Sequence, residues 1–237
     1  MPSQKKLRKK IKPKAGSPEI QNIPLSKKRK FQKRLLKWYD ESGRDLPWRR
    51  TEDPYKILVS EVMLQQTQVD RVIPKFHEFL QKYPTVQDLA EARPEDVRET
   101  WYPLGYNIRP YRLHGIACEA MERYGGNIPS KEEELLSMKG IGRYTAGAIQ
   151  SFAFQKDAAI LDTNVMRVLH RIFIGKGDPK KQKVTLWMLS KKLIPKGKGY
   201  DFNQGLMDFG AMVCTARKPF CLLCPMRDIC HTVSSHE

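Results

Sequence analysis

Residues 135–171, which read LLSMKGIGRYTAGAIQSFAFQKDAAILDTNVMRVLHR, decide the fold. A Gly-x-Gly turn at 138–142 lies between two segments whose apolar residues have helical spacing. Glycine allows the positive φ of a tight turn, and the amides of the turn and of the next helix N-terminus can face one anion. We predict that this hairpin binds a DNA phosphate, although such glycines also commonly end a helix. The predicted contacts are Lys139, Gly140, Gly142 and Arg143.

Asp162 follows the hairpin by one helix and directly precedes the next helical segment, 163–171. Aspartate is a favoured N-cap, so capping alone would explain its presence. Its position after the hairpin suggests a second role, as a carboxylate at the mouth of a groove beside a bound phosphate. The amides of the helix N-terminus favour its ionised form.

The charge of the chain points to a polyanionic partner. Lys and Arg number 43 against 26 Asp and Glu, a formal net charge of +17. Residues 1–30 contain eleven of the cations and a single acid, Glu19, so +10 lies in this segment and +7 in the rest. Nucleic acid and an acidic membrane surface are the partners that such a balance favours.

The first 26 residues are polar, basic and interrupted by prolines, which predicts a disordered arm. No run of 18 apolar residues and no apolar leader is present, so we expect no membrane association and an intracellular protein that is not secreted. In a prokaryote it would be cytoplasmic or associated with the nucleoid. The expected division is the arm at 1–26, a two-lobed helical domain at 27–213, and a metal-binding loop with a tail at 214–237.

Helical spacing of apolar residues continues from Lys27 to Cys214, and no segment alternates as a strand does. We therefore predict an all-α protein of about ten short helices, packed as two lobes with a groove between them. Local signals mark several helix ends. They are an N-cap at Asp53 before Pro54, a C-cap at Gly125, and capping boxes at Thr67 with Asp70, Thr85 with Asp88 and Ser130 with Glu133.

Glu61 lies among apolar residues of the helix predicted at 55–66. A carboxylate in such surroundings must be paired, protonated or exposed on a cleft. The run Gln65-Gln66-Thr67-Gln68 follows and brings three amides to the end of this helix. Amides can contact the edges of bases, or remain as solvated polar groups. Gln65 and Gln66 are predicted DNA contacts.

Two short loops combine an aromatic residue with cations. Residues 46–50, LPWRR, supply Arg49 as a predicted DNA contact, while the alternative is a tryptophan packed beneath a helix with solvated arginines. Residues 104–109, LGYNIR, place Tyr106 beside a flexible glycine. An aromatic side chain in that setting can enter a base stack, although a tyrosine packed in the core is the alternative.

Four of the five cysteines lie within seventeen residues near the C-terminus. Their spacing is C-x6-C-x2-C-x5-C, at Cys214, Cys221, Cys224 and Cys230. Thiols of an intracellular protein stay reduced, so a cluster of this kind indicates metal binding and not disulfides. Four thiolates from one compact loop suit a [4Fe-4S] cluster or, less well, structural zinc.

Together these features resemble the helix-hairpin-helix DNA glycosylase superfamily, which includes endonuclease III. The resemblance covers Lys27 to about His231 and rests on LPWR at 46–49, SEVMLQQTQV at 60–69, GRYTAGAI at 142–149 and the cysteine spacing. It implies a two-lobed helix-hairpin-helix glycosylase fold with a C-terminal [4Fe-4S] loop. It also implies a monomer that acts on double-stranded DNA containing a mismatch or lesion, in base-excision repair.

Within that superfamily the motifs are most similar to the mismatch adenine glycosylases, which remove adenine opposite oxidised guanine. The resemblance implies that Glu61 donates a proton to the adenine ring and that Asp162 stabilises the sugar cation, with Tyr144 and Asn164 in support. Burial among apolar groups raises the pKa of a carboxyl, so Glu61 is expected to hold a proton near neutrality. The resemblance also implies that Gln66 and Tyr106 occupy the positions with which those enzymes probe or intercalate at the base opposite the target.

The sequence departs from the adenine enzymes in three places. No segment like their C-terminal domain follows the cysteines, so we expect a weaker preference for oxidised guanine. LGYN replaces the usual LGYY, and LDTN replaces the more frequent LDGN. Short archaeal thymine glycosylases that act on G·T mismatches also lack this domain and have tyrosine at the position of Tyr144. Thymine or uracil opposite guanine is therefore the alternative target.

Tyr144 stands where endonuclease III-type lyases have a nucleophilic lysine, so we expect a monofunctional glycosylase that hydrolyses the N-glycosidic bond. A bifunctional glycosylase/lyase would require Lys139 or another lysine to reach the sugar. A catalytically silent DNA-binding module is a further alternative, which the loss of Asp162 or Glu61 would favour. Both carboxylates are present.

Overall fold

The computed structural model describes residues 23–234, where every regular element is a helix, as predicted. All but the last four residues of the predicted basic arm lie outside this range. No helix in the described range is long and apolar enough to cross a membrane. The helices are α1 (Leu25–Ser42), α2 (Pro54–Met63), α3 (Val69–Lys82), α4 (Val86–Glu91), α5 (Pro94–Trp101), α6 (Ile108–Tyr124), α7 (Glu132–Ser137), α8 (Arg143–Phe152), α9 (Thr163–Phe173), α10 (Lys183–Leu193), α11 (Gly199–Met212) and α12 (His231–Ser234), with 3-10 turns at Pro47–Arg49, Cys221–Leu223 and Arg227–Ile229.

Several helix ends follow the local signals in the sequence. The Asp53 carboxylate accepts a hydrogen bond from the Tyr55 amide at 2.9 Å, with proline at the first helical position of α2. Thr85 and Asp88 form the reciprocal capping box of α4. Gly125 ends α6 in the left-handed conformation, with φ of 57°. These ends are set by residues within one turn of the helix.

The other two capping boxes are wrong, because contacts outside the helix shift its start. Val69 begins α3 without a side-chain cap, since the Thr67 amide closes a separate turn on the Leu64 carbonyl. Glu132 begins α7, also without a side-chain cap. The carbonyl of Ser130 instead accepts hydrogen bonds from the side chains of Gln150 and Lys156. Helix α1 begins two residues before the predicted start, at Leu25 after Pro24.

The helices form two groups around separate aromatic centres. In the first group α11 packs against α1 and α9, and Phe31 contacts Phe173 and Phe202 edge to face, with centroids 5.1 and 6.1 Å away. In the second group α6 packs against α4 and α5, and Phe79 contacts Trp101 at 5.9 Å. All five rings are buried, and each contributes roughly 1.5–3 kcal/mol of hydrophobic stabilisation.

Helices α2 and α8 pack against each other and join the two groups. Helix α2 also contacts α6, and α8 also contacts α11. Gly147 permits close packing of α8, because a Cβ at this position would lie 2.2 Å from the Ala159 carbonyl oxygen. This arrangement brings side chains of α2, α8 and the start of α9 toward one another.

Candidate active site and cluster-binding loop

A cavity of about 180 Å³ opens where the loop 44–49 meets helices α2, α8, α9 and α11. Six of the residues singled out from the sequence line it: Arg49, Glu61, Gln65, Tyr144, Asp162 and Asn164. The remaining predicted DNA contacts lie outside its lining: Gln66, Tyr106, Lys139, Gly140, Gly142 and Arg143. The structure thus separates the residues that line the cavity from an outer set of residues.

Glu61 is a buried carboxyl on the wall of this cavity, with only 3% of its surface exposed. Its pKa is raised from 4.5 to about 7, mainly by burial and to a smaller extent by the negative charge of Asp162. Hydrogen bonding with Tyr144 and the positive charge of Arg49 act in the opposite direction and lower the pKa. Its Oε2 atom has no hydrogen-bond partner among the described residues. Such a carboxyl can hold a proton near neutral pH and present it to a molecule in the cavity.

Tyr144 lies on the first turn of α8 and interacts electrostatically with both carboxyl groups. Its hydroxyl donates a long hydrogen bond to the sulfur of Met207, at 3.9 Å. Burial raises the pKa of Tyr144 well above 10, and the charges of Glu61 and Asp162 add to this rise. The phenol is therefore neutral at physiological pH and can orient Glu61 by hydrogen bonding.

Asp162 caps the N-terminus of α9, as predicted, with its Oδ1 atom accepting from the Val165 amide at 2.6 Å. The Asn164 side chain also hydrogen-bonds to Asp162. Asn164 is itself oriented by Arg167, which donates to its Oδ1 atom at 2.8 Å. Burial raises the pKa of Asp162 despite these contacts, because desolvation outweighs the amides at the helix N-terminus. Capping thus favours the charged form of Asp162, but burial disfavours it.

Arg49 has protein partners on the cavity wall. Its guanidinium donates to the carboxylate of Asp208 at 2.8 Å and to the Arg44 carbonyl at 2.8 Å. Asp208 is fully buried, and Arg44 donates to it as well. Burial alone would raise the pKa of Asp208, but the hydrogen bonds and charges of the two arginines lower it. Sequence reasoning missed this ion pair, whose one signal is an aspartate in the apolar segment LMDFGAM of α11.

The hairpin at 138–142 projects from the protein between α7 and α8. Buried Met138 and Ile141 anchor it, while Gly140 and Gly142 are exposed. Gly140 has a φ of 108°, as a tight turn requires, whereas Gly142 has an ordinary φ of −96°. A Cβ on Gly142 would meet no atom within 4 Å, so its surface is open to a ligand.

The two cations of the hairpin differ in their contacts. The backbone amide of Lys139 donates to the Glu119 carboxylate at 2.9 Å. Lys139 is exposed to solvent. The Arg143 guanidinium lies 4.2 Å from the centroid of the Trp187 ring, a cation–π contact. That contact orients Arg143 on the surface beside the hairpin. Phosphate binding by these residues stays a prediction.

Gln66 and Tyr106 lie on two neighbouring loops at the outer surface. Both are exposed, Tyr106 by 58%. Both also have positive φ, 56° and 50°, which is uncommon for residues other than glycine. Tyr106 is therefore not the packed core residue that the alternative interpretation of this loop required.

The four cysteines 214, 221, 224 and 230 line one apolar cavity of about 400 Å³. In the described range no three His, Cys, Asp or Glu side chains approach closely enough to hold a single metal ion. The thiols thus line one space that can hold a multi-atom cluster. Burial raises the pKa of Cys224 to about 11, so thiolates here need a positive centre to stabilise them.

Arg171 connects this loop to helix α9. Its guanidinium donates to the Cys214 sulfur at 3.5 Å and to the Thr215 carbonyl at 2.7 Å. Asp228 of the loop pairs with Lys30 and Arg34 of α1. These contacts fix the cysteine loop against the first group of helices.

Comparison with known proteins identifies both parts of this arrangement. Residues 59–192 match the family described as HhH-GPD superfamily base excision DNA repair protein. Residues 214–230 match the iron-sulfur binding domain of endonuclease III. The first match includes both carboxylates and the hairpin, and the second contains all four cysteines. A [4Fe-4S] cluster is therefore the cofactor of this loop.

The relatives include enzymes named for two different bases. The chain is 44% identical over 211 residues to an adenine DNA glycosylase of Rattus norvegicus, covering 84% of this chain and 41% of that protein. It is 38% identical to a thymine-DNA glycosylase of Aeropyrum pernix, covering 84% and 92%. The solved structure of a thermostable thymine-DNA glycosylase superposes with a TM-score of 0.83 at 34% identity, covering 89% and 98%. The chain thus spans about two fifths of the mammalian relative's length, and it belongs to the HhH-GPD superfamily of base excision DNA repair proteins.

Proposed function

We propose that this protein is a monofunctional DNA glycosylase that hydrolyses the N-glycosidic bond of a mispaired base, with adenine opposite guanine or oxidised guanine as its substrate. The observation that carries the proposal is the pair of carboxyl groups on one cavity, Glu61 and Asp162, in different environments. Glu61 is buried without a partner for one oxygen, whereas Asp162 is bonded to a helix N-terminus. Departure of a base needs a proton on the base and negative charge near the sugar, and the two groups can divide these tasks.

In this mechanism the mispaired nucleotide leaves the base stack and enters the cavity, at a cost of a few kcal/mol that is smaller for a mispair. Protonated Glu61 transfers its proton to a ring nitrogen of the base, and the bonding electrons leave with the base. Its pKa of about 7 suits this task near neutral pH. A water molecule then bonds to the sugar carbon, and its proton passes to the ionised Glu61 carboxylate, which restores the starting state.

Asp162 stabilises the positive charge that develops on the sugar. This role requires the ionised form, which the Val165 amide and the Asn164 side chain support against the effect of burial. Tyr144 remains neutral and orients Glu61. The ion pair of Arg49 with Asp208 holds in place the cavity wall formed by the loop 44–49.

Hydrolysis without lyase chemistry is supported by the lining of the cavity. Its described residues include two arginines but no lysine, and Tyr144 cannot form a Schiff base. Lys139, the candidate nucleophile in the alternative, lies outside this lining. A bifunctional enzyme would need a lysine that reaches the sugar from elsewhere.

Double-stranded DNA would bind across the residues outside the cavity, which are Gln66, Tyr106 and the hairpin residues 139–143. The exposed glycines of the hairpin leave room for a phosphate, while Gln66 and Tyr106 face the duplex beside the cavity. Cys214, Cys221, Cys224 and Cys230 would hold the [4Fe-4S] cluster, which would supply iron–thiolate bonds that anchor their loop. We propose that the protein acts as a monomer.

Thymine or uracil opposite guanine is the second candidate substrate. It is favoured by the match to nearly the full length of a thymine-DNA glycosylase, 92% of the Aeropyrum pernix protein. The adenine assignment is favoured by Glu61, because adenine is a poor leaving group until a ring nitrogen is protonated. Thymine has no equivalent ring site, and its departure depends more on hydrogen bonds to its carbonyl oxygens.

The test is a panel of duplexes with adenine, thymine, uracil or hypoxanthine opposite guanine or oxidised guanine. Each is incubated with excess purified protein, and alkali then cleaves the strand at any abasic site. Release of adenine with strand cleavage only after alkali is the expected result. Release of thymine with adenine untouched would establish the second candidate, and cleavage without alkali would reveal a lyase. A protein that binds these duplexes and releases no base would be a silent binding module.

A further inference from the structure

Arg109 is a buried cation at the start of α6 that links two separate loops. Its side chain and backbone together are only 3% exposed. The Nη1 atom donates to the carbonyl oxygens of Val62 and Met63 at the C-terminal end of α2, at 3.1 and 2.8 Å, and to that of Gln65 in the loop that follows, at 2.6 Å. The Nη2 atom donates to the carbonyls of Leu104 and Gly105, both at 3.1 Å. One guanidinium therefore joins the loop 64–68 to the loop 102–107.

This guanidinium has carbonyl partners in place of an acidic one. Among the described residues no carboxylate lies within 4.0 Å of Arg109. Burial lowers its pKa, and the Trp101 ring lies 5.3 Å from the charged carbon. A desolvated charge is costly unless hydrogen bonds replace the lost water. Five carbonyls do so for the two Nη atoms, whose planar fork points to both loops at once, while the buried Nε atom has no hydrogen-bond partner among the described residues.

Each of the two loops carries an exposed side chain in an unfavourable backbone conformation. Gln66 and Tyr106 both have positive φ, a conformation that is strained for a residue with a Cβ. Such a conformation persists only when surrounding contacts hold it. The Arg109 contacts begin directly next to these residues, at the carbonyls of Gln65 and Gly105, and the Tyr106 ring lies 5.4 Å from the guanidinium.

We propose that Arg109 is a positioning residue that holds Gln66 and Tyr106 at a fixed spacing, so that both side chains enter the duplex together at the mispair. The inference rests on the proposed function, because it assigns these two residues to the DNA side of the site. Arg109 itself is buried and is not part of the cavity lining. Its effect is therefore on opening of the base pair and not on cleavage of the bond.

The test uses the whole protein with three variants. Arg109→Met removes the donors, and Arg109→Lys keeps the charge but cannot reach both loops. Arg98→Met removes an exposed arginine from the neighbouring helix α5 and serves as the control for lost charge. Thermal unfolding of each variant shows whether it folds. If Arg109→Met does not fold, the comparison is made with Arg109→Lys.

Base-pair opening is measured directly with duplexes that contain 2-aminopurine beside the mispair, whose fluorescence rises on unstacking. Both Arg109 variants should bind the duplex with the affinity of the wild type but give a much smaller rise, and Arg98→Met should behave as the wild type. A rise equal to that of the wild type in a folded Arg109 variant overturns the inference. This readout does not depend on base release, so it separates the inference from the proposed function.

Base release provides the second measurement. Single-turnover excision from the mispaired duplex should fall by about ten- to a hundredfold in the Arg109 variants, the scale of a misplaced positioning contact. The same target opposite an abasic site, where no partner base must be displaced, should be released at nearly the wild-type rate. The effects of Arg109→Met and Tyr106→Ala on the excision rate should be strongly non-additive, because both substitutions impair the same step, the entry of Tyr106 into the duplex. Equal losses on the two duplexes, or additive effects, would overturn the inference.

Discussion

Replacement of Glu61 by glutamine tests the central feature of the cavity, a carboxyl that is protonated near neutrality. Glu61→Gln keeps the shape of the side chain but can neither ionise nor supply the catalytic proton. Burial raises the pKa of Glu61 from 4.5 to about 7. The substitution should therefore abolish adenine release, and it should also change how stability depends on pH.

The size of the stability effect follows from the shift in pKa. A rise from 4.5 to about 7 corresponds to about 3 kcal/mol, at about 1.4 kcal/mol for each pKa unit. The folded protein binds this proton more tightly than the unfolded chain does, so the unfolding free energy falls as pH rises from about 4.5 to about 7. Between pH 5.5 and pH 8.5 about 2 kcal/mol of this fall should be observed.

The assay is denaturant unfolding of wild type and Glu61→Gln at several pH values in this range. Other titrating groups are common to both proteins and cancel in the difference, so the wild type should lose stability relative to the variant as pH rises. Glu99→Gln, which replaces an exposed carboxyl on α5, is the matched control and should show no such trend. A difference that stays constant with pH would refute the raised pKa, and adenine release by Glu61→Gln would refute the proton donor.

Three further predictions concern other parts of the protein. Asp162→Asn keeps the capping oxygen but removes the charge, so single-turnover base release should fall by at least about a hundredfold with duplex affinity retained, and a normal rate would exclude Asp162 from the mechanism. Gly147→Ala should lower the free energy of unfolding by about 1–3 kcal/mol, because the new Cβ would lie 2.2 Å from the Ala159 carbonyl oxygen. Gly115→Ala, in open space on α6, should instead raise it by about 0.5–1 kcal/mol, and similar effects at both glycines would contradict the packing. Purified wild type should contain iron and acid-labile sulfide, both lost in Cys221→Ala, whereas stoichiometric zinc in the wild type would contradict the cluster.

The sequence by itself determined the features that depend on near neighbours in the chain. Helical spacing of apolar residues established the all-α class, since a helix turns every 3.6 residues whatever it packs against. Caps at Asp53, Thr85 and Gly125 were predictable because the donor and the acceptor lie within one turn. The cysteine loop was recognisable for the same reason, as its four thiols fall within seventeen residues.

Burial among apolar neighbours predicted the direction of the Glu61 pKa, but the sequence could not show which groups share its cavity. Tyr144 and Asp162 reach Glu61 from helices about 80 and 100 residues further along the chain, and the packing of α8 against α2 and of α9 against α11 brings them together. Asp162 shows the limit of local reasoning most directly. Its cap was predictable, but its pKa is raised because desolvation sums over every neighbour in space.

Tertiary structure alone decided the partners of the buried charges. Arg49 reads as a cation free to meet DNA, yet it pairs with Asp208, 159 residues away. Arg109 reads as one more cation in a basic chain, yet it is buried and joins two loops through carbonyl groups, which every residue possesses and no motif can mark. A buried charge must be compensated, but its compensating groups can come from anywhere in the fold, so they become visible only when the chain is folded.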